Sequence, residues 1–173
     1  MRHGGSAPPA APDAVQEARV LAARGDHRSA LEALQGLLGR EPGNAAALLL
    51  KAELLLQGRE GDEALDAYRQ ATSLSPRSAQ AWNGLARCLH AQGRDVEALA
   101  AAERARDLLG EGENFRETGP VYLTLVWCLR ATRRFREALV VAEEGLQRSP
   151  DAVLAQWASV VEEEFAEAEK EEC

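Results

Sequence analysis

Ala30, Ala64, Ala98 and Ala138 stand 34, 34 and 40 residues apart, and each opens a variation on the same short text. The four versions read RSALEALQGLLGREP, DEALDAYRQATSLSP, VEALAAAERARDLLG and REALVVAEEGLQRSP. Four positions beyond the alanines come Leu34, Tyr68, Ala102 and Ala142, and three further on Leu37, Ala71, Ala105 and Gly145. Spacing of this kind puts the three columns on one face of a helix. Each copy then meets a breaker, at Pro42, Pro76, Gly110 and Pro150. Twelve positions upstream of the alanines stand Ala18, Ala52, Ala86 and Val126, with Ala14, Leu48, Trp82 and Tyr122 four positions before those. The unit is therefore helix, break, helix, written four times. Such a chain has no single central core to close, because each pair leaves an apolar face that only the next pair can cover.

The pattern predicts helices over residues 13–24, 27–39, 45–57, 61–74, 79–91, 95–109, 120–132 and 134–148. Val121 to Leu129, VYLTLVWCL, has the β-branched and aromatic content of a strand, but its three sister segments are helical and it is read as a helix. Asp62, Asp95 and Asp151 are expected to cap helices, and Pro120 to occupy a first turn, where its missing N–H costs nothing. After Pro150 a further helix carries a stripe of Val153, Trp157, Val161, Phe165 and Ala168 with glutamates on its other side, as expected of a closing helix.

Of the 173 residues, 20 are Lys or Arg and 28 are Asp or Glu, giving a net charge of −8. From Glu162 onward seven glutamates face only Lys170, so this segment alone carries −6. An acidic chain without a basic stripe is a poor ligand for nucleic acid, whose affinity rests largely on phosphate neutralisation. The start, MRHGGSAPPAAP, lacks the apolar run of an export signal and is expected to be a disordered lead over residues 1–10. No stretch approaches the roughly 18 apolar residues of a membrane span. Cys88, Cys128 and Cys173 do not form a disulfide framework, which favours a reducing, cytoplasmic setting. His3, His27 and His90 are scattered; Cys88 with His90 offers two ligands where a structural zinc takes four. Cys88 and Cys128 hold equivalent places in adjacent units and read as small buried hydrophobes. With no phosphate loop, no dinucleotide fingerprint and no catalytic constellation, the expectation is no cofactor, no metal and no enzyme.

A 34-residue helix–turn–helix unit with these small residues resembles the tetratricopeptide repeat family. The third unit matches best, with Trp82, Leu85, Ala86, Leu89, Gly93, Ala98, Ala102 and Ala105 at the signature places. The departures are local: Ala14 where a large residue is usual, Glu17 and Lys51 in place of Leu, and Val126 in place of a small residue. The resemblance covers residues 11–150 and implies an all-α, right-handed α-solenoid of four repeats plus a C-terminal capping helix. The units fall at about 11–44, 45–78, 79–112 and 119–152, with an insertion near 110–118, and residues 151–173 form the closing helix and acidic tail.

The resemblance also implies a concave face lined by the first helix of each pair, holding a peptide or helix of another protein. Its places fall on Val15 and Arg19, on Leu49, Glu53 and Leu56, on Asn83, Arg87 and His90, and on Leu123, Trp127 and Arg130. Arg19, Arg87 and Arg130 could fork onto carboxylates, while Leu49, Leu123 and Trp127 could bury apolar anchors. Trp127 reads equally as core beneath the closing helix, and the arginines as solvated faces. The Lys, Arg and Asn set with which some members hold chaperone tails is not reproduced, since Leu49 and Glu53 stand where a cation and an asparagine belong. Phe115, in the insertion GEGENFRETG, is a further candidate contact if that loop lies on the binding face, and otherwise belongs to a plain longer turn. The acidic tail either steers a basic client or keeps the chain soluble. The expected role is an adaptor or assembly scaffold; a dedicated chaperone for an aggregation-prone client and a regulatory subunit are the alternatives. The chain is expected to be a monomer, with end-to-end self-association left open.

Overall fold

A computed structural model describes the chain over residues 14–110 and 115–171. The expected lead at residues 1–10, His3, Cys173, residues 111–114 of the insertion and the side chain of Phe115 lie outside the described residues. Nine helices and no strand occur among the described residues. They are α1 (Ala14–Ala23), α2 (His27–Arg40), α3 (Ala45–Gln57), α4 (Gly61–Leu74), α5 (Ala79–Ala91), α6 (Asp95–Asp107), α7 (Phe115–Ala131), α8 (Phe135–Arg148) and α9 (Ala152–Glu171).

The repeated columns form the contacts that the spacing demands. Ala30, Ala64, Ala98 and Ala138 are all fully buried, and so are Ala18, Ala52, Ala86 and Val126 opposite them. A methyl group at these places lets the two helices of a pair approach closely, and there is little room for a larger side chain. VYLTLVWCL is helical, and its Val121, Tyr122, Leu125 and Val126 lie deep in the stack. Tyr68 of α4 lies flat where Gly84 of α5 offers no side chain: a Cβ on Gly84 would come within 2.1 Å of the tyrosine ring. Gly145 does the same for Leu154 and Tyr122, each 2.7 Å from its hypothetical Cβ. The absence of a side chain is thus used between units as well as within them.

The core is extended along the stack. α3 serves three parts of it, giving Ala47, Leu50 and Leu54 to a cluster with α1 and α2, Leu48 to a small one with Ala71 and Ala81, and Ala52 and Leu55 to the larger cluster that runs on to α9. The turn inside each pair repeats too: Gly25, Arg59, Gly93 and Arg133 all have positive φ, 83°, 65°, 72° and 58°. The same left-handed turn residue is glycine in two units and arginine in the other two.

The structure corrects several expectations. Asp62 and Asp95 lie in first turns and do not cap them; α4 and α6 start from Glu60 and Arg94 with no side-chain cap bond. Side-chain caps come instead from the residue just before a helix: Asp26 accepts from Ser29 N–H, Asn44 from Ala47 N–H and Ser78 from Ala81 N–H. Asp151 does cap α9, accepting from the N–H groups of Val153 and Leu154. Pro120 is the sixth residue of α7, not in its first turn, because α7 has 17 residues where α3 and α5 have 13. Much of the extra sequence between units three and four is thus spent lengthening a helix, and Phe115 starts that helix. A proline just past the first turn forfeits at most one intrahelical bond. In α9 the inward residue near the start is Leu154, fully buried, while Val153 is half exposed.

Candidate functional site: the inner wall of the first helices

Curvature follows from which helices touch. Along the stack α1 meets α3, α3 meets α5, α5 meets α7 and α7 meets α9, whereas α2, α4, α6 and α8 do not meet one another. The odd-numbered helices are therefore crowded on the inner side and the even-numbered ones splay on the outer side. The candidate residues lie on these odd-numbered helices, three or four positions apart where a helix carries more than one.

Toward the start of the wall, Arg19 is exposed, and Leu49 and Glu53 are half-buried. In the middle Arg87 is exposed, with no hydrogen bond or ion pair among the described residues. Asn83, one turn before it, is only 8% exposed. Its Oδ1 is buried without a hydrogen-bond partner, an uncommon state for a buried acceptor. Leu123 is half-buried at the equivalent place on α7.

His90, Trp127 and Arg130 are brought together, and α9 is brought to them. The His90 Nδ1 lies 2.7 Å from Asp95 Oδ1, which orients the ring; its face stacks on Trp127 with centroids 6.5 Å apart. Trp157 of α9 meets Trp127 edge-on at 5.8 Å. The Trp127 Nε1–H is buried and finds no acceptor. Arg130 lies 5.4 Å over the Trp157 ring and forks onto Glu164, donating from Nε to Oε2 at 2.6 Å and from Nη2 to Oε1. These bonds hold the Glu164 carboxyl below its ordinary range, against a smaller upward push from burial, and raise the Arg130 guanidinium in turn. So the two indoles pack together, and the carboxylate on Arg130 is the chain's own. Glu164 and Trp157 were not among the candidates, although they lie seven positions apart on one face of α9 and are legible as such.

Cys88 and Cys128 are buried parts of the packing. Burial pushes the Cys88 thiol up to about 11 and the Cys128 thiol up to about 12, so neither is a ready nucleophile or metal ligand. Among the described residues no cluster of three or more His, Cys, Asp or Glu could hold a metal ion, and His90 is taken by Asp95 and Trp127. Among them, too, no helix is long and apolar enough to cross a membrane.

Comparison with known proteins agrees with this architecture. Protein O-mannosyl-transferase TMTC1 is 30% identical over 96 residues in Homo sapiens and 32% over 95 in Mus musculus, each match covering 53% of this chain. The matched region spans only 11% and 10% of those proteins. Among solved structures, PilF of Pseudomonas aeruginosa superposes with a TM-score of 0.77 at 20% identity, over 89% of this chain and 68% of its own. MamA does so at 0.73 and 18%, over 86% and 84%. YrrB, described as a TPR protein with an unusual peptide-binding site, does so at 0.71 and 19%, over 90% and 76%. The tetratricopeptide repeat profile matches residues 15–76 and 54–112, together more than half of the chain. With its period, its buried alanine columns and its stacked helix pairs, the chain belongs to the tetratricopeptide repeat family.

Proposed function

We propose that this chain is a non-catalytic adaptor or assembly scaffold that holds a segment of a partner protein against its inner wall. The repeat fold is that of a protein–protein interaction module, and function on such a fold resides in the site it carries. The observation that carries the reading is Arg87, exposed on an odd-numbered helix with no ion pair among the described residues and so open to fork onto a carboxylate of a partner segment. Asn83 lies one turn before it on the same helix. YrrB is described as having a peptide-binding site on a fold that superposes on this one, and that lends support.

Arg19, Leu49, Glu53 and Leu123 are assigned to the same wall, with Leu49 and Leu123 as shallow apolar contacts. On this reading the chain works in the cytoplasm and as a monomer. The test is affinity capture with the full chain, the variant Asn83→Ala/Arg87→Glu, and the outer-face variant Arg104→Glu as control. Partners held by the wall are lost from the first variant and kept by the second. Equal recovery from both would remove the inner wall as the binding surface.

A further inference from the structure

Val161 is the last fully buried residue of α9. Beyond it, across residues 162–170, no side chain is buried, and only Glu164, Phe165 and Ala168 are even half covered. This second half of α9 is held by side-chain contacts to the corner where α7 ends and α8 begins. Arg130 forks onto Glu164. The Arg136 guanidinium lies 5.3 Å over the Phe165 ring and 3.2 Å from Glu169, and Phe135 packs 6.5 Å from Phe165. Such part-exposed ion pairs contribute little, and a helix end without a buried residue opens readily.

The corner holds a cation that the strap leaves unpaired. Arg133 lies 5.8 Å over the Phe135 ring and forms no ion pair among the described residues. Between corner and strap a cavity of about 350 Å³ remains, bordered by Arg130, Arg133, Phe135, Glu164 and Glu167. Glu167 borders this space without bonding to Arg133. Two arginine contacts are therefore satisfied by α9, and a third cation waits beside empty volume.

We infer that the α7–α8 corner is a docking site for an acidic helix of a partner protein, and that the second half of α9 is its built-in competitor. The chemistry of the occupant already in place defines the partner: a carboxylate, an aromatic ring at the next position and a second carboxylate four positions beyond the ring, as in Glu164, Phe165 and Glu169. A partner helix with one more carboxylate facing Arg133 makes a contact that the strap leaves unmade, and so displaces it. The inference rests on the proposed function only for the premise that this chain takes up a segment of another protein, and its test does not use the inner wall.

The probe is a fluorescein-labelled peptide of residues 160–171, VVEEEFAEAEKE, titrated by anisotropy into the full chain. The strap is released by Glu164→Gln/Phe165→Ser/Glu169→Gln; Glu162→Gln/Glu163→Gln is the charge-matched control on the outer face. Release should tighten peptide binding about tenfold, the gain when a site closed nine-tenths of the time is opened. The control should bind as the original chain does. Arg130→Ala/Arg136→Ala on the released background should return binding to the original level, whereas Arg87→Glu should leave it unchanged. Binding no tighter after release, or a tight complex that survives loss of both arginines, would overturn the assignment. If the triple variant does not fold, Glu164→Gln alone decides, since it must bind the peptide more tightly than the original chain or the corner is not a docking site. Loss of peptide binding with Arg87→Glu would instead place the peptide on the inner wall and overturn the corner.

Discussion

Replacing Gly84 with alanine tests the packing between units directly. In a helix interior the change alone is worth about 0.8–1 kcal/mol of stabilisation, because glycine surrenders more backbone freedom on folding. At Gly84 the new Cβ would lie 2.1, 2.3 and 2.7 Å from three atoms of the Tyr68 ring, whereas ordinary contact begins near 3.4 Å. The ring must move by more than an ångström, and it is only 4% exposed, so it has nowhere to go without displacing α4. Overpacking of a well-filled core costs about 1–3 kcal/mol and occasionally more, and this site belongs at the top of that range. The net expectation is a loss of about 2 kcal/mol. Gly36, on the exposed side of α2, has nothing within 4 Å of its hypothetical Cβ, so Gly36→Ala should realise the full helical gain of about 1 kcal/mol. In a chain of this length each kcal/mol shifts the melting temperature by about 2–4 °C. Thermal unfolding followed by helical circular dichroism should show Gly84→Ala about 4–8 °C below the original chain and Gly36→Ala about 2–4 °C above it. Gly84→Ala/Tyr68→Leu should recover much of the loss, as coupled neighbours do. Two variants moving in the same direction, or a double variant no better than Gly84→Ala, would show that the ring does not fill the glycine's space.

Three other outcomes follow from the same geometry. Ala98→Leu should lose about 1–3 kcal/mol, because Ala98 is fully buried between α5 and α6; an unchanged melt would put the register of the pair in error. Gly93→Ala should lose about 1 kcal/mol purely from its positive φ, since nothing lies near its Cβ position; chemical denaturation should show a lower midpoint with an unaltered slope. Acid should open the Arg130–Glu164 contact. The Glu164 carboxyl is lowered in the folded chain by its bonds to Arg130, so its contribution is complete above the ordinary value of 4.5 and is lost as pH falls through the lowered one. Tryptophan fluorescence should report a change at Trp157 below about pH 4.5 that is missing from Glu164→Gln, with less than about 1 kcal/mol of stability at stake for so exposed a pair.

Much of the fold could be read from residue order, because every unit repeats the same argument. The bounds of α3, α4 and α5 agree with the periodic pattern residue for residue, since three sister copies constrain each boundary. The failures come where local and tertiary demands part. Asp62 and Asp95 have cap chemistry, but the tight left-handed turn before them delivers the chain one or two residues too soon for their carboxylates to reach back. Pro120 reads as a first-turn residue and Gly119 as the end of the insertion, yet α7 runs through both, with Gly119 buried and its missing Cβ making room for Asp151 at the start of α9. Among the candidate residues, the spacing could not reveal that Arg130 already has a carboxylate. That contact spans 34 residues of sequence and depends on the angle at which α9 crosses α7.

The division of α3 among separate clusters bears on how this chain comes apart. A beam supported along its whole length fails all at once, whereas one with a joint fails at the joint, and α3 is such a joint. Its Ala47, Leu50 and Leu54 hold the first pair, and its Leu48, Ala52 and Leu55 pack against the units that follow. The first pair can let go while the remainder stays folded, in the manner of a nearest-neighbour array. A partner gripping Arg19 as well as the middle of the wall would therefore act as a splint, and hydrogen exchange in α1 and α2 would slow long before exchange in α5 registered its arrival.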